Sequence, residues 1–280
     1  MVIDFHTHIF PPWLIKNRDK YLSQDVTFSE LYKDPNAKMA TAEDLVESMR
    51  KYSVTTSVVM GIGWSDYGLA SEVNDYIIES VKLFPNQLVG FCGVNPNWGK
   101  KAIQEVERGA TSGLRGVGEF HPDSQSFSID DFSIMAPLVE VIQQNGFIVT
   151  THSSEPVGHQ YPGKGNIKPE ILWKFLQNFP ELTVVCAHWG GGLPFYALMP
   201  EVADGLSNVY FDSAASPFLY SESIFPQAVS LVGANRILMG SDFPLINQGR
   251  ILRLLESVDL SDSDKNAILG GNAANLLNLD

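Results

Sequence analysis

Positive charge is scarce in this chain of 280 residues: 19 Lys and Arg stand against 32 Asp and Glu, a formal net charge of −13. Binding along a phosphate backbone depends on clustered cations, so the balance argues against a nucleic-acid partner. The same field repels an anionic substrate at long range unless a local metal or arginine inverts it. Cysteine is scarcer still. Cys92 and Cys186 are the only two, each inside an apolar run, and they read as small buried fillers in a reducing compartment. No apolar stretch approaches the roughly 20 residues needed to cross a bilayer, so no membrane span is expected. The opening Met1-Val2-Ile3-Asp4-Phe5-His6 lacks a basic segment and a small-residue cleavage site. No signal peptide is expected, and a cytoplasmic location is the default.

What the chain does have is a rhythm. Apolar, β-branched runs at 2–5, 54–60, 88–94, 114–120, 147–151, 182–187, 209–212 and 236–240 alternate with helical patterns at 42–49, 72–84, 100–109, 131–145, 168–179, 193–203 and 222–232, and with a helical tail to 277. Thr41 is placed to cap the first of these helices. Strands that are apolar throughout suit a parallel sheet buried on both faces. Eight strand–helix units predict a (β/α)₈ TIM barrel occupying residues 1–280 as one domain. Residues 10–39, rich in proline and aromatics, are expected to form an irregular insertion after strand one. The aromatics of 10–13 there would pack the core, a lid or a homodimer contact. An open doubly wound sheet would want a glycine-rich phosphate turn after its first strand, where this chain has His6-Thr7-His8.

The chain has six histidines, and their positions are informative. His6, His8, His121, His152 and His188 fall at or just beyond predicted strand C-termini, and His159 lies in the loop that follows strand five. Glu119 ends strand four and Asp242 follows strand eight. All strand C-termini of a barrel face one mouth, so these groups converge although they are scattered in sequence. His6 and His8, two apart on one strand, point the same way about 7 Å apart at the backbone. Both imidazoles can then grip one ion, with His152 adding a nitrogen and Asp242 an oxygen that can also take a proton. Such a set suits a divalent metal, zinc first, with manganese, iron or cobalt also accommodated.

Other residues carry smaller expectations. Arg115, four before Glu119, would pair with it or reach a substrate carboxylate. His121 would shuttle protons or be solvated. Glu155 and His159 would line the mouth. Gly190-Gly191-Gly192 would allow a close backbone approach or simply turn the chain.

Asp4-Phe5-His6-Thr7-His8, Thr151-His152, Ala187-His188-Trp189-Gly190-Gly191, Gly240-Ser241-Asp242-Phe243-Pro244 and the closing 271–277 segment together resemble the amidohydrolase superfamily. Within it they are similar to the amidohydrolase-related branch that includes aminocarboxymuconate-semialdehyde and γ-resorcylate decarboxylases. The resemblance implies His6, His8, His152 and Asp242 as metal ligands. It casts His188 as a substrate-orienting or acid–base residue, or as a second-metal ligand together with Glu119. One ion is expected, with Glu119 as ligand or substrate contact.

The first expectation for activity is a metal-dependent hydrolase of a small carboxylate, lactone or amide, with Asp242 and His188 as catalytic residues. That preference rests on Glu119 offering a second-metal option. The alternative is a metal-dependent non-oxidative decarboxylase of an aromatic or unsaturated carboxylate, with Asp242 or His188 delivering a proton to carbon. A metal-dependent DNase and a non-enzymatic metal-binding barrel rank below both.

Overall fold

A computed structural model describes residues 1–279. The strands are β1 (Ile3–His8), β2 (Thr56–Met60), β3 (Leu88–Cys92), β4 (Gly116–Phe120), β5 (Ile148–Thr151), β6 (Val184–Cys186), β7 (Val209–Asp212) and β8 (Ile237–Leu238). All pair in parallel and in chain order. The first and last strands are drawn together by Phe5 N–H donating to Met239 O at 2.8 Å and by Asp242 N–H donating to His6 O at 2.9 Å. The sheet is thereby nearly closed, with helices between its strands, a TIM barrel as expected.

Helices follow their local signals. Thr41 and Asp44 form a reciprocal capping box at the head of Ala42–Tyr52. Asp66 accepts from Leu69 N–H, so the next helix begins at Tyr67, earlier than the apolar spacing indicated. The helix expected to stop at Gly109 runs to Thr111. The segment expected as one helix over 193–203 is a 3₁₀ turn, Leu193–Leu198, and a short helix, Pro200–Asp204. The break falls at Met199, whose extended backbone is what a following proline favours. Residues 10–39 are not irregular: they contain three short helices, Pro12–Lys16, Arg18–Leu22 and Val26–Tyr32. Phe10 from this insertion is fully buried beside Tyr32 and Trp64, which is the core-packing role.

The apolar cores lie inside and outside the strand ring. Ile3, Phe5, Val58, Met60, Phe91, Ile148, Val185 and Leu238 form a separate buried cluster with Ala273 and Leu277 of the closing helix. The larger cluster joins the other strand faces to the surrounding helices. Cys92 and Cys186 are free and buried, and burial pushes both thiols up, as suits packing residues. No helix among the described residues is long and apolar enough to cross a membrane.

Candidate active site

The strand ends bring the expected groups together. β1 continues to His8, three residues further than its apolar run, so His6 and His8 sit on the strand itself. Their Nε2 atoms are 3.1 Å apart. Glu119, the fourth residue of β4, stands opposite: its Oε2 is 3.6 Å from His6 Nε2 and 3.7 Å from His8 Nε2. Its Oε1 is 3.2 Å from His152 Nδ1 and 3.5 Å from His188 Nε2. Asp242 Oδ1 is 3.4 Å from His8 Nε2 and 4.0 Å from His6 Nε2. The donors therefore fall into two triads sharing Glu119: His6–His8–Glu119 and Glu119–His152–His188. All five residues of these triads are buried.

This donor set fits a divalent cation. Two imidazole nitrogens and a carboxylate oxygen converge from three directions with little water to compete. The protonation pattern is that of a tightly coupled buried cluster. Burial raises Glu119, but the His6 charge and hydrogen bonds from His152, His188 and His6 outweigh it and hold the carboxyl well below its usual range. Burial likewise raises Asp242, and the His8 contact with the charges of His6 and His188 pulls it below its ordinary value. Burial disfavours the charged form of His188, yet the Glu119 bond and charge, with Asp242, lift it to about 9. Its Nδ1 lies 3.1 Å from Ala214 O. A carbonyl only accepts, so Nδ1 carries a proton and Nε2, facing Glu119, is the position that exchanges one.

The backbone around His188 explains its aim. His188 and Trp189 have φ of 55° and 60°, a left-handed turn that lifts the ring over the barrel. Gly191 follows with φ of 58°, and a Cβ there would lie 2.3 Å from Ser154 O. The glycine run thus permits a close approach between the loops after β5 and β6.

Above the cluster lies a cavity of about 450 Å³ whose walls include Leu31, Ile62, Phe218, Leu219 and Pro244, and whose polar lining includes His8, Glu119, His152, His188 and Asp242. Tyr32 from the insertion reaches it, its phenol pushed up by burial and by the charges of Asp242 and Glu119. Lys38 reaches the rim, donating to Leu245 O at 3.2 Å.

Several expectations change here. Arg115 is exposed, precedes the first residue of β4, and makes no ion pair among the described residues. Four residues of strand separate it from Glu119 by roughly 13 Å, so it sits at the far end of the barrel. His121 is buried rather than solvated: it stacks on His152 with ring centroids 4.4 Å apart and donates from Nε2 to Gly163 O at 2.9 Å. Burial and the neighbouring His152 lower it to about 4. His159 lines the cavity rim, while Glu155 accepts from Tyr161 Oη–H at 3.1 Å beside it. Asp212 was passed over in the sequence. It ends β7, wholly buried, with Oδ2 2.8 Å from His6 Nδ1. An acid closing an apolar strand, at the level of the other strand-end donors, was the available signal.

A parallel barrel with buried histidines and carboxylates at its strand C-termini defines a metal-dependent enzyme fold of the amidohydrolase type. The amidohydrolase family profile matches residues 3–279, and the chain belongs to that family. It is 24% identical to the 2-amino-3-carboxymuconate-6-semialdehyde decarboxylase of Dictyostelium discoideum, over 99% of this chain and 92% of that one. It is 25% identical to the 6-methylsalicylic acid decarboxylase of Penicillium expansum, over 98% and 95%. Among solved structures it superposes with TM-score 0.81 and 16% identity on a 5-carboxyvanillate decarboxylase from Novosphingobium aromaticivorans in complex with manganese, covering 100% and 96% of the two chains.

These findings overturn the expectation of hydrolysis. The two relatives named above, each matched over nearly the whole chain, are decarboxylases, and the second-metal option of Glu119 does not outweigh them. Zinc is not singled out either, since the structural neighbour holds manganese.

Proposed function

We propose that this chain is a metal-dependent, non-oxidative decarboxylase of an aromatic or unsaturated carboxylate. The observation that carries the reading is the buried histidine–carboxylate cluster forming the polar base of an apolar-walled cavity, whose size suits a single ring. His6, His8 and Asp242 would hold one divalent ion, zinc or manganese, with His152 across Glu119 from them. When bound, that ion supplies a positive charge to anchor and orient an anionic substrate. It also reverses the repulsion expected from the chain's net charge.

The chain's own residues do the rest. The apolar walls hold the ring and exclude water, which favours loss of a carboxylate as neutral carbon dioxide. The bond from ring carbon to carboxylate breaks, its electron pair stays on the carbon, and that carbon takes a proton. His188 is the donor: Ala214 O fixes its Nδ1, and its Nε2 proton faces the cavity base. Asp242, held ionised by three histidines, is the poorer acid and serves as ligand and orienting charge.

The test is turnover of hydroxybenzoates and related unsaturated acids in heavy water with added Mn²⁺ or Zn²⁺. The expected products are carbon dioxide and an arene or alkene bearing one deuterium at the vacated carbon. Solvent ¹⁸O in the product without carbon dioxide release would sink the reading. Elemental analysis is expected to find one ion per chain.

A further inference from the structure

We propose that Asp212 is the positioning residue of the metal site, setting the tautomer of His6 and anchoring the turn that carries His188; the proposal rests on the divalent-metal reading above. Asp212 is completely buried at the end of β7. Its Oδ2 is 2.8 Å from His6 Nδ1. Its Oδ1 accepts from His188 N–H at 3.0 Å and from Ala214 N–H at 3.0 Å. One carboxylate thus ties β1 to the loops after β6 and β7.

A carboxylate only accepts hydrogen bonds, so His6 Nδ1 must carry the proton. Nε2, the atom facing His8 and Glu119, is then the nitrogen that gives up the second proton of the charged ring and offers its lone pair when a cation binds. A partner on the distal nitrogen that fixes tautomer and basicity is a recurrent need of metal-binding histidines. On its other oxygen, Asp212 holds the backbone amide of the left-handed residue His188 and that of Ala214, and the left-handed conformation is one that side-chain-bearing residues adopt at a cost. The metal ligand and the proton donor therefore share one support.

Asp212→Asn separates the two tasks. The amides of His188 and Ala214 both require an oxygen, so the carboxamide must turn its NH₂ toward His6. Nδ1 would then have to accept, the proton would move to Nε2, and the lone pair facing the metal site would be lost. The substitution conserves shape and leaves the His188 turn in place.

The experiment titrates the metal-stripped full-length chain with Mn²⁺ and with Zn²⁺, wild type against Asp212→Asn, with circular dichroism of both metal-free proteins as the folding check. Metal binding is expected to weaken about 10–100-fold in the variant, with unchanged secondary structure. Equal affinity in a folded variant overturns the proposal. Histidine ¹⁵N NMR of the zinc-loaded wild type gives a second readout independent of any variant: Nδ1 of His6 is expected to be protonated, and an unprotonated Nδ1 overturns the assignment. A wild type that binds neither ion fails at the metal reading itself, a result distinct from normal binding that is indifferent to Asp212.

Discussion

Within the strand ring, Phe5 of β1 packs against an apolar cluster with Val58, Met60, Phe91 and Leu238, while the very next residue, His6, meets His8, Glu119 and Asp212. The floor and the mouth of the barrel are both buried, yet they solve opposite problems. The floor gains stability by removing hydrocarbon from water, about 25 cal/mol per Å². The mouth removes charge from water, which costs stability unless each group is paired. It is paired internally: Asp212 with His6, and Glu119 with four histidines. Buried charge held this way is ready for a cation or an anionic substrate, and its positions are fixed by strands whose lower halves do the packing.

That contrast can be broken first by one substitution at each level. Phe5→Ala is expected to lower unfolding stability by about 3–5 kcal/mol, with the proposed activity per folded molecule retained. His8→Ala should do the reverse, leaving the metal-free fold intact and cutting kcat/KM by about 10³-fold or more, ~4 kcal/mol of transition-state stabilisation. Denaturant unfolding and steady-state rates on the same preparations distinguish them. Loss of activity and stability in parallel at both sites would erase the distinction.

Acid should strike the mouth before the floor. His121 is lowered to about 4 by burial and by His152, against about 6.5 in an unfolded chain. A base with a depressed folded value contributes stability that is present above pH 6.5 and is lost as pH falls toward 4. The full effect is about 3 kcal/mol for this side chain. Urea unfolding at pH 7 and pH 4 should show a smaller acid loss in His121→Gln than in wild type. Equal losses would mean that this ring is not the source.

Chelation gives a further effect, confined to the mouth. A ligand at 100 times its dissociation constant stabilises the folded state by about 2.7 kcal/mol. EDTA should therefore lower the melting temperature and stop turnover, and Mn²⁺ should restore both. The smallest expected change is a control outside the barrel. Thr41→Ala removes a capping box and should cost about 1 kcal/mol with no change in metal affinity by titration.

Much of this was legible in the residues themselves. Eight apolar runs separated by helical patterns require a parallel sheet wrapped by helices, and that topology sends His6, His8, Glu119, His152, His188 and Asp242 to one end. The helices hidden in 10–39 were less legible, because they are short and held by contacts such as Asp25 accepting from Phe28, Ser65 and Asp66 N–H. The burial of His121 was equally hidden, since the carbonyl it meets, Gly163, lies 42 residues away.

The sequence alone determined the periodicity, and with it the barrel, because alternation and run length are local properties of the chain. Tertiary structure decided which neighbours face inward where the period fails. Strict alternation sends Phe5 and His6 to opposite faces, but the pairing register of β1 shifts between Asp4 and Thr7, and that of β4 shifts between Val117 and Phe120, beside Glu119. Such irregularities, and the choice of Asp212 as partner to His6, depend on how adjacent strands fit together, which no single stretch of sequence contains.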